Sequence, residues 1–192
     1  MEQIRSFIAI ELPEEIKTAL ARLQDRLKTG GQSGVKWVNP YGIHLTLKFL
    51  GNIAASLTDE ITGAIETAAH GIPPFHLELK ETGGFPNLRR VQVAWVGLGG
   101  NIDRLRQLHQ GIEAKLVPIG FAAESRPFTP HLTLARLQDR VSPAERQSFG
   151  KLITSTGLAA AYGFEINSIK LMKSQLTREG AIYSQISSVR LK

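Results

Sequence analysis

Cysteine is absent from this 192-residue chain. That excludes disulfides, cysteine-ligated zinc and a thiol nucleophile. No apolar run approaches the roughly 20 residues that a membrane helix requires. The opening Met1-Glu2-Gln3-Ile4-Arg5 is too polar and acidic for a secretory signal. A cytoplasmic protein without membrane association is expected. There is also no block of like charges and no arginine-rich tail. The formal charge is +6, yet the basic residues are dispersed, with small groupings at Arg89-Arg90 and Arg104/Arg106. That balance suits an anion bound at a local site better than a long nucleic-acid track. Three catalytic signatures are missing as well. There is no Gly-x-x-x-x-Gly-Lys-[Ser/Thr] loop, no Gly-x-Gly-x-x-Gly fingerprint and no Gly-x-Ser-x-Gly elbow. Gly97-Leu98-Gly99-Gly100 is better read as a strand-to-helix turn.

What the chain does carry is one tetrapeptide written twice, His44-Leu45-Thr46-Leu47 and His131-Leu132-Thr133-Leu134. These motifs use two of only five histidines. Both lie in short apolar-polar alternations that predict strands. Side chains at i and i+2 of a strand share a face, so each copy presents His and Thr together and turns its leucines to a core. The same alternation puts Lys48 beside His44 and Thr46, and Phe49 on the leucine face as a core residue. In the second copy, Arg136 falls nominally on the leucine face.

Around these motifs the pattern predicts alternating strands and helices. Strands are expected at 6–11, 35–38, 43–50, 75–80, 91–96 and 131–137. The first histidine strand closes at Gly51-Asn52, and Gly83-Gly84-Phe85-Pro86-Asn87 is expected as a loop. Helices are expected near 14–28, 57–69 with Thr58 as N-cap, and 101–116. A fourth begins at the capping box and proline of Ser142-Pro143-Ala144-Glu145. A closing hairpin spans 166–173 and 181–189 around Thr177-Arg178-Glu179-Gly180. The two histidines lie nearly half a chain apart. Two related lobes are therefore expected, one histidine in each half, each a small sheet backed by helices around a groove.

Two such strands facing one cleft bring together two imidazoles and two hydroxyls. Histidine, with an unperturbed pKa of about 6.5, both accepts and donates protons near neutrality. Phosphodiester hydrolysis needs both acts on opposite sides of phosphorus, because attack and departure are roughly in line. Threonine hydroxyls can donate to the non-bridging oxygens. A cyclic phosphate suits so small a site, since its ring is strained and its leaving oxygen stays tethered. Arg136, as a planar fork of donors, and Lys48, as a point charge, are candidate anion ligands.

Alternatives remain open on this pattern. A metal could use one histidine per strand, but no carboxylate lies within either motif and no His-x-x-x-His or Glu-x-x-His spacing occurs. A non-catalytic RNA- or nucleotide-binding module could use the same cleft. His70, His76 and His109 carry no motif and are expected to be surface or structural.

The segments His44-Leu45-Thr46-Leu47-Lys48-Phe49-Leu50-Gly51 and Phe128-Thr129-Pro130-His131-Leu132-Thr133-Leu134-Ala135-Arg136 resemble the 2H phosphoesterases. More narrowly, they resemble the bacterial and archaeal RNA 2′,3′-cyclic phosphodiesterases, historically called 2′-5′ RNA ligases. Arg5 to Ile10, Val35 to Val38, Gly84-Phe85-Pro86 and Val93 to Gly97 are similar to that family as well. The resemblance implies an α+β fold, with two pseudo-symmetric lobes of antiparallel sheet backed by helices and flanking a central cleft. It implies a single bilobal domain over residues 1–192, expected to be a monomer. The implied activity is metal-independent hydrolysis of RNA 2′,3′-cyclic phosphate ends to 2′-phosphate ends, without a cofactor and with a minor reversible 2′-5′ ligation. Carried over by motif position, His44 is the proton donor and His131 the acceptor. Thr46 and Thr133 hold the phosphate, and Arg136 binds substrate. Tyr41, Phe49, Phe85 and Phe128 are the aromatics considered for stacking on a base, with Phe49 expected in the core.

Overall fold

The computed structural model describes residues 2–178 and 180–192. Two antiparallel sheets and four helices build an α+β fold. The first sheet contains β1 (Gln3–Glu11), β3 (His44–Ala54), β8 (Ser168–Thr177) and β9 (Gly180–Arg190), in the order β3-β1-β8-β9. The second contains β2 (Val35–Trp37), β4 (Phe75–Phe85), β5 (Val93–Gly100), β6 (His131–Leu137) and β7 (Gly163–Ile166), in the order β2-β6-β5-β4-β7. Between the strands run α1 (Glu14–Lys28), α2 (Thr58–Ala69), α3 (Ile102–Leu116) and α4 (Pro143–Thr156).

Local chemistry accounts for the helices. In α1 the apolar stripe Ile16, Leu20, Leu23 and Leu27 is buried, and Glu14 and Glu15 sit at the positive end of the dipole. At the start of α4 the Ser142 N–H donates to Glu145 Oε2 (2.8 Å), and the Glu145 N–H donates to Ser142 Oγ (3.3 Å). The expected Thr58 N-cap is not formed. Leu57 holds that position, and the Thr58 hydroxyl donates to the Ala55 carbonyl at 2.9 Å.

The sheets extend past several glycines expected to end them. β3 crosses Gly51, whose φ of +72° accommodates a register shift against β1. β4 includes Gly83-Gly84-Phe85, where a loop is expected from composition. Cross-strand pairing with Trp95, Ala94 and Val93 keeps this stretch extended. β5 likewise runs through Gly97 to Gly100 instead of turning there. The closing hairpin forms, with Thr177 opposite Gly180, while Glu179 lies outside the described residues.

The lobes are not the two halves of the chain. β2, from the first half, pairs with β6 in the sheet of His131, and the C-terminal β8–β9 hairpin completes the sheet of His44. The helices cross over as well. α1 packs with α4 behind the second sheet, and α2 packs with α3 behind the first. One apolar cluster draws on both sheets and all four helices.

Candidate active site

β3 is the edge strand of its sheet, and it approaches β6 of the other sheet across a cleft of about 800 Å³. His44, Thr46, His131, Thr133 and Arg136 all line this one cavity. The topology thus brings together all five expected site residues.

The two imidazoles are held in the same way. His44 Nδ1 lies 2.8 Å from the Gly42 carbonyl, and His131 Nδ1 lies 2.7 Å from the Thr129 carbonyl. A carbonyl only accepts, so each Nδ1 carries the proton and each Nε2 is left for cleft chemistry. Neither threonine hydroxyl has a protein partner among the described residues.

Surroundings separate the two histidines. The His44 ring stacks on Phe7 (centroids 4.7 Å apart, 27° between planes) and meets Tyr183 edge-on at 5.0 Å. This burial pushes its pKa below the ordinary histidine value, against a smaller opposing effect of the Gly42 carbonyl. His131 meets Phe85 edge-on at 4.9 Å.

A matched pair of β-bulges explains which neighbours reach the cleft. In β3, Ile8 pairs with Lys48 but Ala9 pairs with Thr46, so Leu47 is an extra residue. In β6, Ala94 pairs with Ala135 but Trp95 pairs with Thr133, so Leu134 is the extra residue. An extra residue reverses the side-chain phase beyond it. Arg136 is thereby turned from the nominal leucine face to the cleft, where it is exposed. In β3 the same device corrects two sequence-based expectations. Lys48 is buried instead of sharing the face of His44. Phe49, expected in the core, is 65% exposed and lines the cleft.

Each bulge is tied down from beneath. The buried Gln24 of α1 donates through Nε2 to the carbonyls of Val38 (2.8 Å) and Leu134 (2.9 Å). Lys48 donates to both Glu113 oxygens (2.8 and 3.0 Å) and to the Ala122 carbonyl (2.9 Å). Glu113 also accepts the Glu124 N–H at 2.9 Å, fixing the loop that leads to His131. With its ammonium committed there, Lys48 is not a free charge for substrate. His109, expected to be surface or structural, is buried: it stacks on Phe128 at 3.9 Å, lies 3.8 Å from Glu113, and contributes to the lining of the cleft. Burial lowers its pKa, against the attraction of Glu113. His70 and His76 are on the surface.

Phe85 and Phe128 line the cleft, whereas exposed Tyr41 is not part of its lining. Sequence reasoning missed Phe7 and Tyr183 as the walls around His44, and Arg5 and Arg126 as further cations of the cleft. Arg5 and Phe7 had a signal, since they lie two residues apart on one strand, out of phase with the core residue Ile8, and so share the face away from the core. No group of three or more His, Cys, Asp or Glu side chains able to hold a metal occurs among the described residues.

The fold is that of a bilobal phosphoesterase, and here each lobe places a histidine and a threonine on the cleft. The family model described as LigT-like phosphoesterase matches residues 10–95 and 97–183. The chain belongs to this family. It is 36% identical over 172 residues to a protein of Aeropyrum pernix named RNA 2′,3′-cyclic phosphodiesterase, covering 89% of this chain and 94% of that one. A protein of the same name from Methanothermobacter thermautotrophicus is 30% identical over 189 residues, covering 98% of this chain and all of the relative. A crystal structure of a Thermus thermophilus protein superposes with a TM-score of 0.79 at 26% identity, covering 98% of both chains. Among the described residues, no helix is long and apolar enough to cross a membrane.

Proposed function

We propose that the chain hydrolyses RNA 2′,3′-cyclic phosphate termini to 2′-phosphates by paired histidine acid–base catalysis. The observation that carries this reading is the twin clamp. Each Nδ1 is tied to the carbonyl two residues before it, and both rings line one cleft. Nε2 of His131 takes a proton from water as the water oxygen attacks phosphorus. The P–O3′ bond breaks on the opposite side, and the 3′ oxygen takes its proton from Nε2 of His44. The product carries a 2′-phosphate and a 3′-hydroxyl, and proton exchange with solvent resets both rings. The donor and acceptor roles follow the family resemblance. Thr46 and Thr133 donate to the non-bridging oxygens, and Arg136 pairs with the phosphate.

Burial disfavours the charged form of His44, yet a donor must be protonated. A bound phosphate anion supplies the opposite charge that restores the imidazolium, so substrate binding and proton uptake are coupled. The same groups run in reverse with a 5′-hydroxyl as nucleophile, which gives 2′-5′ ligation as a minor activity. This reading takes residues 1–192 as one bilobal domain, acting in the cytoplasm as a monomer without cofactor or metal.

The test is turnover of a nucleoside 2′,3′-cyclic phosphate by His44→Ala and His131→Ala. Each variant is expected to lose at least about 10²-fold in kcat with unchanged circular dichroism. Full activity in either one removes that histidine from the mechanism.

A further inference from the structure

Arg89 and Arg90 form an adjacent pair in the turn between β4 and β5, outside the site described above. The Asn87 side-chain oxygen accepts both their backbone N–H groups, at 3.0 and 3.1 Å, and so fixes the turn. Both side chains are exposed, and neither guanidinium has an acidic partner among the described residues. Beside them lies a second, open groove whose lining includes Gly83, Gly84, Leu88, Arg89 and Trp95. The half-buried Trp95 ring packs on the backbone of Gly83, where a Cβ would stand 2.3 Å from the indole. The indole N–H has no acceptor in the protein among the described residues.

The Phe85 side chain stands between this groove and the cleft. The Trp95 ring lies 5.2 Å from that of Phe85, and Phe85 in turn meets His131 at 4.9 Å. Trp95 is also the cross-strand partner of Thr133. The groove therefore begins one aromatic side chain away from the candidate base.

Chemistry sets what must extend beyond the cleft. In a 2′,3′-cyclic terminus both vicinal ribose oxygens are bonded to the phosphorus in the cleft. The rest of the RNA can leave only through the 5′ oxygen of that nucleotide. The preceding nucleotide brings a flat base and one phosphodiester anion. An indole in the groove with the Arg89 guanidinium, and exposed Arg90 next to it in the same turn, complement both.

We propose that this groove seats the nucleotide immediately 5′ of the cyclic end, with its base against Trp95 and its phosphodiester at Arg89 and Arg90. The inference rests on the cyclic phosphodiesterase reading and makes the enzyme selective for RNA ends over free mononucleotides.

The test compares a mononucleotide 2′,3′-cyclic phosphate with a dinucleotide ending in the same cyclic nucleotide. The wild type is expected to favour the dinucleotide by about tenfold or more in kcat/KM, mainly through KM. In Arg89→Ala/Arg90→Ala that ratio falls toward one. In Arg104→Ala/Arg106→Ala, which removes equal charge from α3, the ratio holds. Added salt should weaken the dinucleotide preference in the wild type but not in the Arg89/Arg90 variant. Equal use of both substrates by the wild type overturns the subsite while leaving the function intact, as does an Arg89/Arg90 variant that keeps the preference. An equal loss of preference in both double variants would assign the effect to general charge and also overturn it. Hydrolysis of neither substrate overturns the function itself.

Discussion

Replacing Lys48 by methionine separates two roles that its place beside the His-x-Thr motif leaves open. The ammonium bonds both oxygens of Glu113, with side chains 4% and 12% exposed. Methionine keeps the apolar stem and removes the charge. Glu113 is then left buried with only the Glu124 N–H and the edge of His109 for company. Removing one partner of a buried ion pair costs about 3–5 kcal/mol, because the remaining charge is uncompensated. For a chain of this length each kcal/mol moves Tm by about 2–4 °C, so Tm should fall by roughly 6–20 °C. The double variant Lys48→Met/Glu113→Gln leaves no orphan charge and should recover much of that loss. Thermal unfolding followed by circular dichroism, alongside KM for a cyclic nucleotide, reads both roles at once. A Tm within about 2 °C of wild type together with a tenfold or greater rise in KM would refute the structural role and make Lys48 a substrate ligand.

Three further outcomes are expected. Burial lowers the pKa of His44 and of His109, so the unfolded chain binds protons more readily than the folded one just below the ordinary value of 6.5. Their contribution is complete above that value and is lost as pH falls through the folded pKa values. Tm should therefore decline as pH falls below the ordinary histidine value, less steeply in His44→Gln, and a flat or rising Tm would contradict the burial of these rings. Glu11 and Glu145, whose pKa values are lowered from 4.5 by the hydrogen bonds of Lys170 and Ser142, act below that window. Gln24→Leu removes the side-chain bonds to the Leu134 carbonyl of the β6 bulge and to the adjoining Val38 carbonyl, leaving the Val38 N–H on Leu134. It should cost about 1–3 kcal/mol and raise KM by loosening Arg136, while kcat, carried by the histidines, stays within a few fold. Unchanged Tm and KM would show that the bulge stands without it. Turnover should survive EDTA, because the reacting groups assigned here are imidazoles; loss on chelation and recovery with a divalent ion would refute unaided acid–base chemistry.

Much of the site was legible because its signal is local. His44/Thr46 and His131/Thr133 alternate in phase with leucines, and that alternation survives folding since β3 and β6 stay regular across each His-x-Thr. The α1 stripe and the Ser142 capping box are likewise short-range. Beyond Leu47 and Leu134 the local rule fails. The extra residue just past each His-x-Thr, Leu47 or Leu134, buries Lys48, exposes Phe49 and turns Arg136 to the cleft. Nothing in the composition of either segment marks the bulge, which exists only as a mismatch with β1 or β5. The glycines of β3, β4 and β5 misled for a related reason: pairing with neighbouring strands keeps extended what isolated propensity would break.

By itself, the sequence determined the two His-Thr faces and the helices, because periodicity is a property of neighbouring residues. Tertiary structure decided which strands share a sheet, sending β2 to the strand of His131 and the C-terminal hairpin to that of His44. It also enclosed His44 between Phe7 and Tyr183, contributed by strands from opposite ends of the chain. Strand order and bulge register depend on partners far away in sequence, and the asymmetry between two identical tetrapeptides arises there.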